Sequence, residues 1–155
     1  MTHPLIPWLG AVALAVLPTV AVAAPAFDCS RVEAGSIAEH VCRDPALTRL
    51  DRQLAAVYAA ALDKARNERP PTLRAEQRGW IKGRDDCWKA EDKPLCVSDS
   101  YRQRIAELQA RYALLPATGP VFYSCDGIAA KEVVATFYPT DPASVVVEFG
   151  DSTSL

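Results

Sequence analysis

The sequence predicts a mainly α protein: a disulfide-stapled helical module of about three main helices, followed by a short C-terminal β segment. Three observations carry that expectation. Apolar residues recur at helical spacing in three consecutive stretches between Leu47 and Tyr112. Four of the five cysteines fall in the helical part of the chain. After Pro120 the pattern changes to short runs rich in Val, Phe, Tyr and Thr, separated by turn residues.

The first main helix has the clearest start. Asp44 precedes Pro45, so a capping carboxylate stands next to a residue whose missing N–H costs nothing at the first helical position. Leu47, Leu50, Leu54, Val57 or Tyr58, Ala61 or Leu62, and Ala65 then form one stripe, with Arg49, Arg52 and Gln53 on the wet face. Pro70-Pro71 cannot continue a helix, which places the end near Asn67–Arg69. A second helix starts at about Thr72 and carries Leu73, Gln77, Trp80, Ile81, Arg84, Cys87 and Trp88 along its stripe. Gly79 and Gly83 lower its intrinsic helicity by about 1 kcal/mol each and are read as allowing close approach of a neighbouring helix. After a polar corner at Lys89–Pro94, a third helix runs from about Leu95 to Tyr112 on Val97, Tyr101, Ile105, Leu108 and Tyr112. Upstream, Phe27–Cys42 is a lead-in in which Gly35-Ser36 begins a brief helical turn.

The β segment is read as three strands, Val121–Cys125, Lys131–Tyr138 and Ser144–Phe149, broken at Asp126-Gly127 and at Pro139-Thr140-Asp141-Pro142. Three strands alone have unpaired edges. Two explanations are open: a barrel cut short at Leu155, or a short divergent extension. Charge is divided between the parts. Residues 27–115 carry 16 basic and 14 acidic residues, a net of +2. Residues 116–155 carry Lys131 against Asp126, Glu132, Asp141, Glu148 and Asp151, a net of −4.

Residues 4–24 contain no charged side chain. The position of this stretch at the N-terminus, the break at Pro18, and the small residues of Ala21-Val22-Ala23 or Ala24-Pro25-Ala26 predict a cleaved signal peptide rather than a retained anchor. The expected organisation is therefore a signal peptide over 1–26, a helical domain over 27–115 and a partial β segment over 116–155. The mature protein would be exported, periplasmic or secreted, without stable membrane insertion. In that compartment the cysteines are expected as disulfides. Cys29, Cys42, Cys87 and Cys96 admit three pairings. Cys29–Cys42 with Cys87–Cys96 is preferred, because each bond closes a short local loop worth roughly 3 kcal/mol. Cys125 is left unpaired. Cys29 follows Phe27-Asp28 rather than small residues, so it is not read as a lipid attachment site.

The inventory points away from catalysis. With 17 basic and 19 acidic residues, the chain lacks the cationic excess of a nucleic-acid binder dominated by phosphate contacts. No Cys-x-x-Cys occurs and His40 is the one histidine after the leader, so neither a metal nor another cofactor is expected. No phosphate-cradling glycine loop or Ser/His/Asp pattern is present. Asp85-Asp86 is an adjacent carboxylate pair, and neighbours on a helix point apart. Asp51 and Arg84 are read as an ion pair between helices. Trp80 and Tyr101 are read with them as structural core, as are Trp88, Tyr58 and Tyr112, and Trp88 beside Cys87 is the most exposed of these aromatics.

Phe27-Asp28-Cys29, Val41-Cys42 with Leu47, Leu50-Asp51-x-x-Leu54-x-x-x-Tyr58, Gln77-x-x-Trp80-x-x-x-Arg84-Asp85-x-Cys87, and Cys96-x-x-x-x-Tyr101-x-x-Arg104-Ile105-x-x-Leu108 follow one another in order. Together they make Phe27–Tyr112 resemble the LprI-type N-terminal domain of exported bacterial proteins. That resemblance implies a helical module with two local disulfides and no catalytic residue. Val121-Phe122-Tyr123-Ser124-Cys125-Asp126-Gly127 and the two strands after it resemble the first strands of the membrane-bound inhibitors of c-type lysozyme, the MliC-like family. That family implies a small β-barrel with an inhibitory Ser-Gly-x-x-Tyr-like loop, a segment this sequence does not contain, so lysozyme-binding residues remain unassigned.

The functional expectation is a non-enzymatic binding module: an exported bacterial envelope protein of lysozyme-inhibitor type, with c-type lysozyme as its protein partner. An acidic β segment would steer a basic partner of that kind. The alternative is a structural or interaction module of the envelope that does not inhibit lysozyme.

Overall fold

A computed structural model describes residues 25–124, 126–127, 132–149 and 152–154, the last three as backbone alone. The signal peptide expected over residues 1–26 falls outside the described residues except for its last two positions, and Cys125 falls outside them as well.

Four α-helices precede a four-stranded antiparallel sheet. The lead-in contains a short 3-10 turn, Cys29–Arg31, and then α1, Ile37–Arg43. Ser36 caps α1 by accepting from the Glu39 N–H, and Glu39 reaches back to accept from the Gly35 N–H. Helix α2, Pro45–Lys64, begins as its sequence requires, with the Asp44 carboxylate accepting from the N–H groups of Ala46 and Leu47. It passes into a 3-10 turn at Ala65–Asn67 before the two prolines. Helix α3 spans Leu73–Asp85 and tightens into a 3-10 turn at Asp86–Lys89. Helix α4, Lys93–Arg111, starts two residues earlier than the apolar stripe suggests. Asp92 accepts from the Leu95 N–H and Pro94 fits the first turn, so polar residues set this boundary.

The helices bury Ile37, Val41, Leu47, Leu54, Ala61, Leu73, Cys87, Val97, Tyr101, Ile105, Leu108 and Tyr112 in one cluster. Cys29–Cys42 ties the lead-in to α1, and Cys87–Cys96 ties the end of α3 to the first turn of α4. Gly79 and Gly83 meet no described atom within 4 Å of where a Cβ would lie, so the close helix approach expected there is not made among the described residues. Their exposure on α3 leaves a helix that buries few residues of its own: Leu73 and Arg84.

Strands β1 (Thr118–Ser124), β2 (Glu132–Tyr138), β3 (Ser144–Phe149) and β4 (Ser152–Ser154) form a meander in that order. The first three correspond to the expected strands, and β4 is additional. Its three residues, Ser-Thr-Ser, carry too little apolar pattern to announce a strand. A register shift between Thr118 and Val121 places Gly119 at φ +113°, where a Cβ would stand 2.9 Å from the Ala135 carbonyl oxygen. Only glycine fits that close approach. Helix α4 joins the two parts. Its core face carries Tyr101, Ile105 and Leu108, while Ala106 and Ala110 are buried on the opposite face, and β3 packs against this helix. Among the described residues, no helix is long and apolar enough to cross a membrane.

Candidate binding face

The buried polar residues of the helical unit converge on one place. Asp51 projects from the middle of α2, Arg84 from the last turn of α3, and Tyr101 from α4. Each lies on or beside an apolar stripe, so helix packing carries all three inward. Asp51 and Arg84 are 8% and 6% exposed. Charges this deep need partners. The direct Asp51–Arg84 pair expected from the sequence takes another form. The Tyr101 hydroxyl stands between them, donating to Asp51 Oδ1 at 2.9 Å and accepting from Arg84 Nη1 at 2.7 Å. Arg84 makes its salt bridge with Asp85, giving both Nε and Nη2 to Asp85 Oδ1. The second Asp51 oxygen accepts from the N–H of Ala26, the last residue of the expected leader, at 2.6 Å.

Electrostatics follow from this burial. Desolvation pushes the Tyr101 phenol well above its ordinary value and the Asp51 carboxylate adds to the rise, against the pull of Arg84. Burial works against the Arg84 charge, yet Tyr101 and Asp85 outweigh it and hold the guanidinium above its usual range. The Arg84 guanidinium also lies 5.6 Å from the centroids of both Trp80 and Tyr101, whose rings meet edge to face at 5.2 Å. The expected structural residues Asp51, Trp80, Arg84 and Tyr101 are thus brought together as one network, and Cys29, Cys42, Cys87 and Cys96 form the two bonds that brace it.

This network floors an open groove of about 380 Å³ between α2 and α3. Its walls are mostly apolar and include Phe27, Leu54, Tyr58, Trp80 and Ile81. Ala38 of α1 lines both this groove and a neighbouring cavity of about 300 Å³, which runs along Glu33–Ala38 to Asp85 and Trp88. At the rim Ile81 is 39% exposed and Trp88 61% exposed. The sequence placed both in the core stripe. The 3-10 turn at Asp86–Lys89 explains the difference for Trp88, since it rotates the residue out of α3's register while Cys87 stays buried.

Two features exceed what the helical pattern implies. The stripe makes Tyr101 core but does not give the partner that a buried tyrosine hydroxyl usually finds. Arg104 is likewise buried, donating to Gln77 Oε1 on α3 and to Glu107 Oε1 on its own helix. Its spacing of three from Tyr101, close to the apolar face of α4, was the available signal. Among the described residues, no three His, Cys, Asp or Glu side chains gather into a metal-holding group.

The comparisons with known proteins all take in the helical unit, and the similarity to the relatives extends beyond it. A family model described as lysozyme inhibitor LprI matches residues 29–108. The lipoproteins LprI of Mycobacterium bovis and of Mycobacterium tuberculosis are each 30% identical to this chain over 158 residues, covering 92% of it and 76% of their own length. No solved structure matches.

Proposed function

This chain belongs to the lysozyme inhibitor LprI family, and from that premise we propose that it is an exported bacterial envelope protein that binds and blocks c-type lysozyme without chemistry of its own. The single observation that carries the reading is the position of the family match. Residues 29–108 contain both disulfides, the Asp51–Tyr101–Arg84 network, the groove lining except Phe27, and Trp88, and they stop short of the sheet. The contact is therefore assigned to the helical unit, on the face where Ile81 and Trp88 are exposed beside the groove. A preformed cleft framed by a stapled scaffold loses little freedom on binding, which is where affinity is gained. Export is supported by the two disulfides, by the uncharged stretch at residues 4–24, and by relatives that are named lipoproteins. The domain division into a leader, a helical unit and a β segment belongs to the same proposal.

A second reading assigns the contact to the sheet, as in the MliC-like inhibitors. It is favoured by the exposed Phe122, Tyr123 and Phe149 and by the net charge of −4 over residues 116–155, which suits a basic partner. Either reading is tested by adding purified protein to c-type lysozyme and following the turbidity of a cell-wall suspension. Slowed clearing at a modest molar excess is expected. Unchanged clearing at a large excess would remove inhibition and leave the alternative, an interaction module of the envelope.

A further inference from the structure

We propose that the cavity between the start of α1 and Trp88 is a receptor for a cationic side chain, specifically an arginine presented by a basic protein partner. The inference rests on the lysozyme reading for the partner's identity but not for the site's chemistry. Trp88 is the anchor. Its indole is 61% exposed although its sequence neighbour Cys87 is buried and bonded to Cys96. The disulfide fixes the backbone under the ring, so little conformational freedom remains to be lost when a ligand stacks on it. Tryptophan and arginine are the residues that most often dominate binding energy at protein interfaces.

The charges around the ring select the ligand. Glu33 and Asp85 are the charged side chains lining the cavity, and both are acidic. Both Arg84 bonds fall on Asp85 Oδ1, and no described donor bonds Oδ2. Glu33 is exposed and forms no salt bridge among the described residues. The ring already attracts a cation of this chain: Lys89 Nζ lies 5.5 Å from the indole centroid, held at 2.6 Å by Asp86. Cation–π attraction at such a distance is worth about 0.5–1 kcal/mol at an exposed site and more when water is excluded. A guanidinium suits the cavity better than an ammonium, because it is planar, stacks on an aromatic face and offers a fork of donors to carboxylates. Ala38 connects this cavity to the apolar groove, so an arginine seated at Trp88 would leave the adjoining partner surface over Ile81.

The test is a titration of the full chain with dye-labelled tetra-arginine, read by anisotropy, with tetra-glutamate as the control and c-type lysozyme titrated in parallel. Wild type, Trp88→Ala and Glu33→Gln are compared after thermal melts confirm that the variants fold, as exposed positions should permit. Tetra-arginine is expected to bind and tetra-glutamate not to bind, with each substitution weakening both tetra-arginine and lysozyme by about tenfold, the equivalent of about 1.4 kcal/mol. Equal tetra-arginine binding by all three proteins, or none by wild type, would overturn the proposal. Tetra-arginine binding lost in the variants with no lysozyme binding at all would uphold the receptor and sink the lysozyme reading. Lysozyme binding untouched by Trp88→Ala would overturn the placement of the partner's arginine.

Discussion

The helical unit and the sheet are held together by different means. In the helices, α1, α2 and α4 begin with capping side chains, two disulfides close short loops, and a charged network is buried and satisfied. In the sheet, β1 is exposed along its whole length, and Val121, Phe122, Tyr123, Phe137 and Phe149 remain in water. Backbone pairing, the contact of β3 with α4 and the burial of Ala135 and Tyr138 hold it. The contrast teaches where each part's support lies: the helices are braced by disulfides and buried polar contacts, while the sheet packs on α4.

The largest effect should come from the shared core. Leu108→Ala is expected to cost about 3–5 kcal/mol, a transfer term plus a cavity term, and to lower the melting of both parts, since Leu108 is fully buried on the helix that joins them. A melt that spared the sheet would break the comparison. Reducing Cys87–Cys96 comes next. Its loop spans a sequence separation of 9 and should contribute roughly 2–3 kcal/mol. Urea unfolding of Cys87→Ala/Cys96→Ala should show this loss, and an unchanged midpoint would argue that helix packing suffices without the bond.

Tyr101→Phe should cost about 1–3 kcal/mol, because it leaves Asp51 Oδ1 and Arg84 Nη1 without their shared partner in a buried setting. The same residue sets an alkaline limit. Its phenol is raised above the ordinary value of 10.0, so the folded state keeps a proton that the unfolded chain releases. The stabilisation is complete below about pH 10 and is lost as pH rises beyond it. Phenolate absorbance from Tyr101 should therefore emerge with unfolding, and the Phe variant should lack that component. Ser36→Ala is smaller, about 1 kcal/mol, and is read from the unfolding midpoint. Phe122→Ser in the sheet should shift the melt by less than about 0.5 kcal/mol, in line with its exposure.

Much of this was legible in the sequence. The Asp44-Pro45 start and the stripes through Leu54 and Leu108 follow from local chemistry and helical period, and both are seen. What escaped depends on contacts distant along the chain. Tyr101 meets Asp51 across 50 residues, and Ala26 meets the same carboxylate across 25. A stripe says that Tyr101 is buried but not what its hydroxyl touches. Trp88, expected as the most exposed of the stripe aromatics, stands fully outside the core for a local reason: a 3-10 turn carries 3.0 residues per turn rather than 3.6, so the helical period overruns the end of α3. The exposed face that this turn creates was therefore the least legible part of the candidate site.

The most direct test of the account is amide hydrogen exchange along the chain with and without excess c-type lysozyme. The account predicts added protection at residues 33–38 and 85–89, with α4 slowest in both samples. Protection confined to β1–β3, or none anywhere, would contradict the assignment of the contact to the stapled helices.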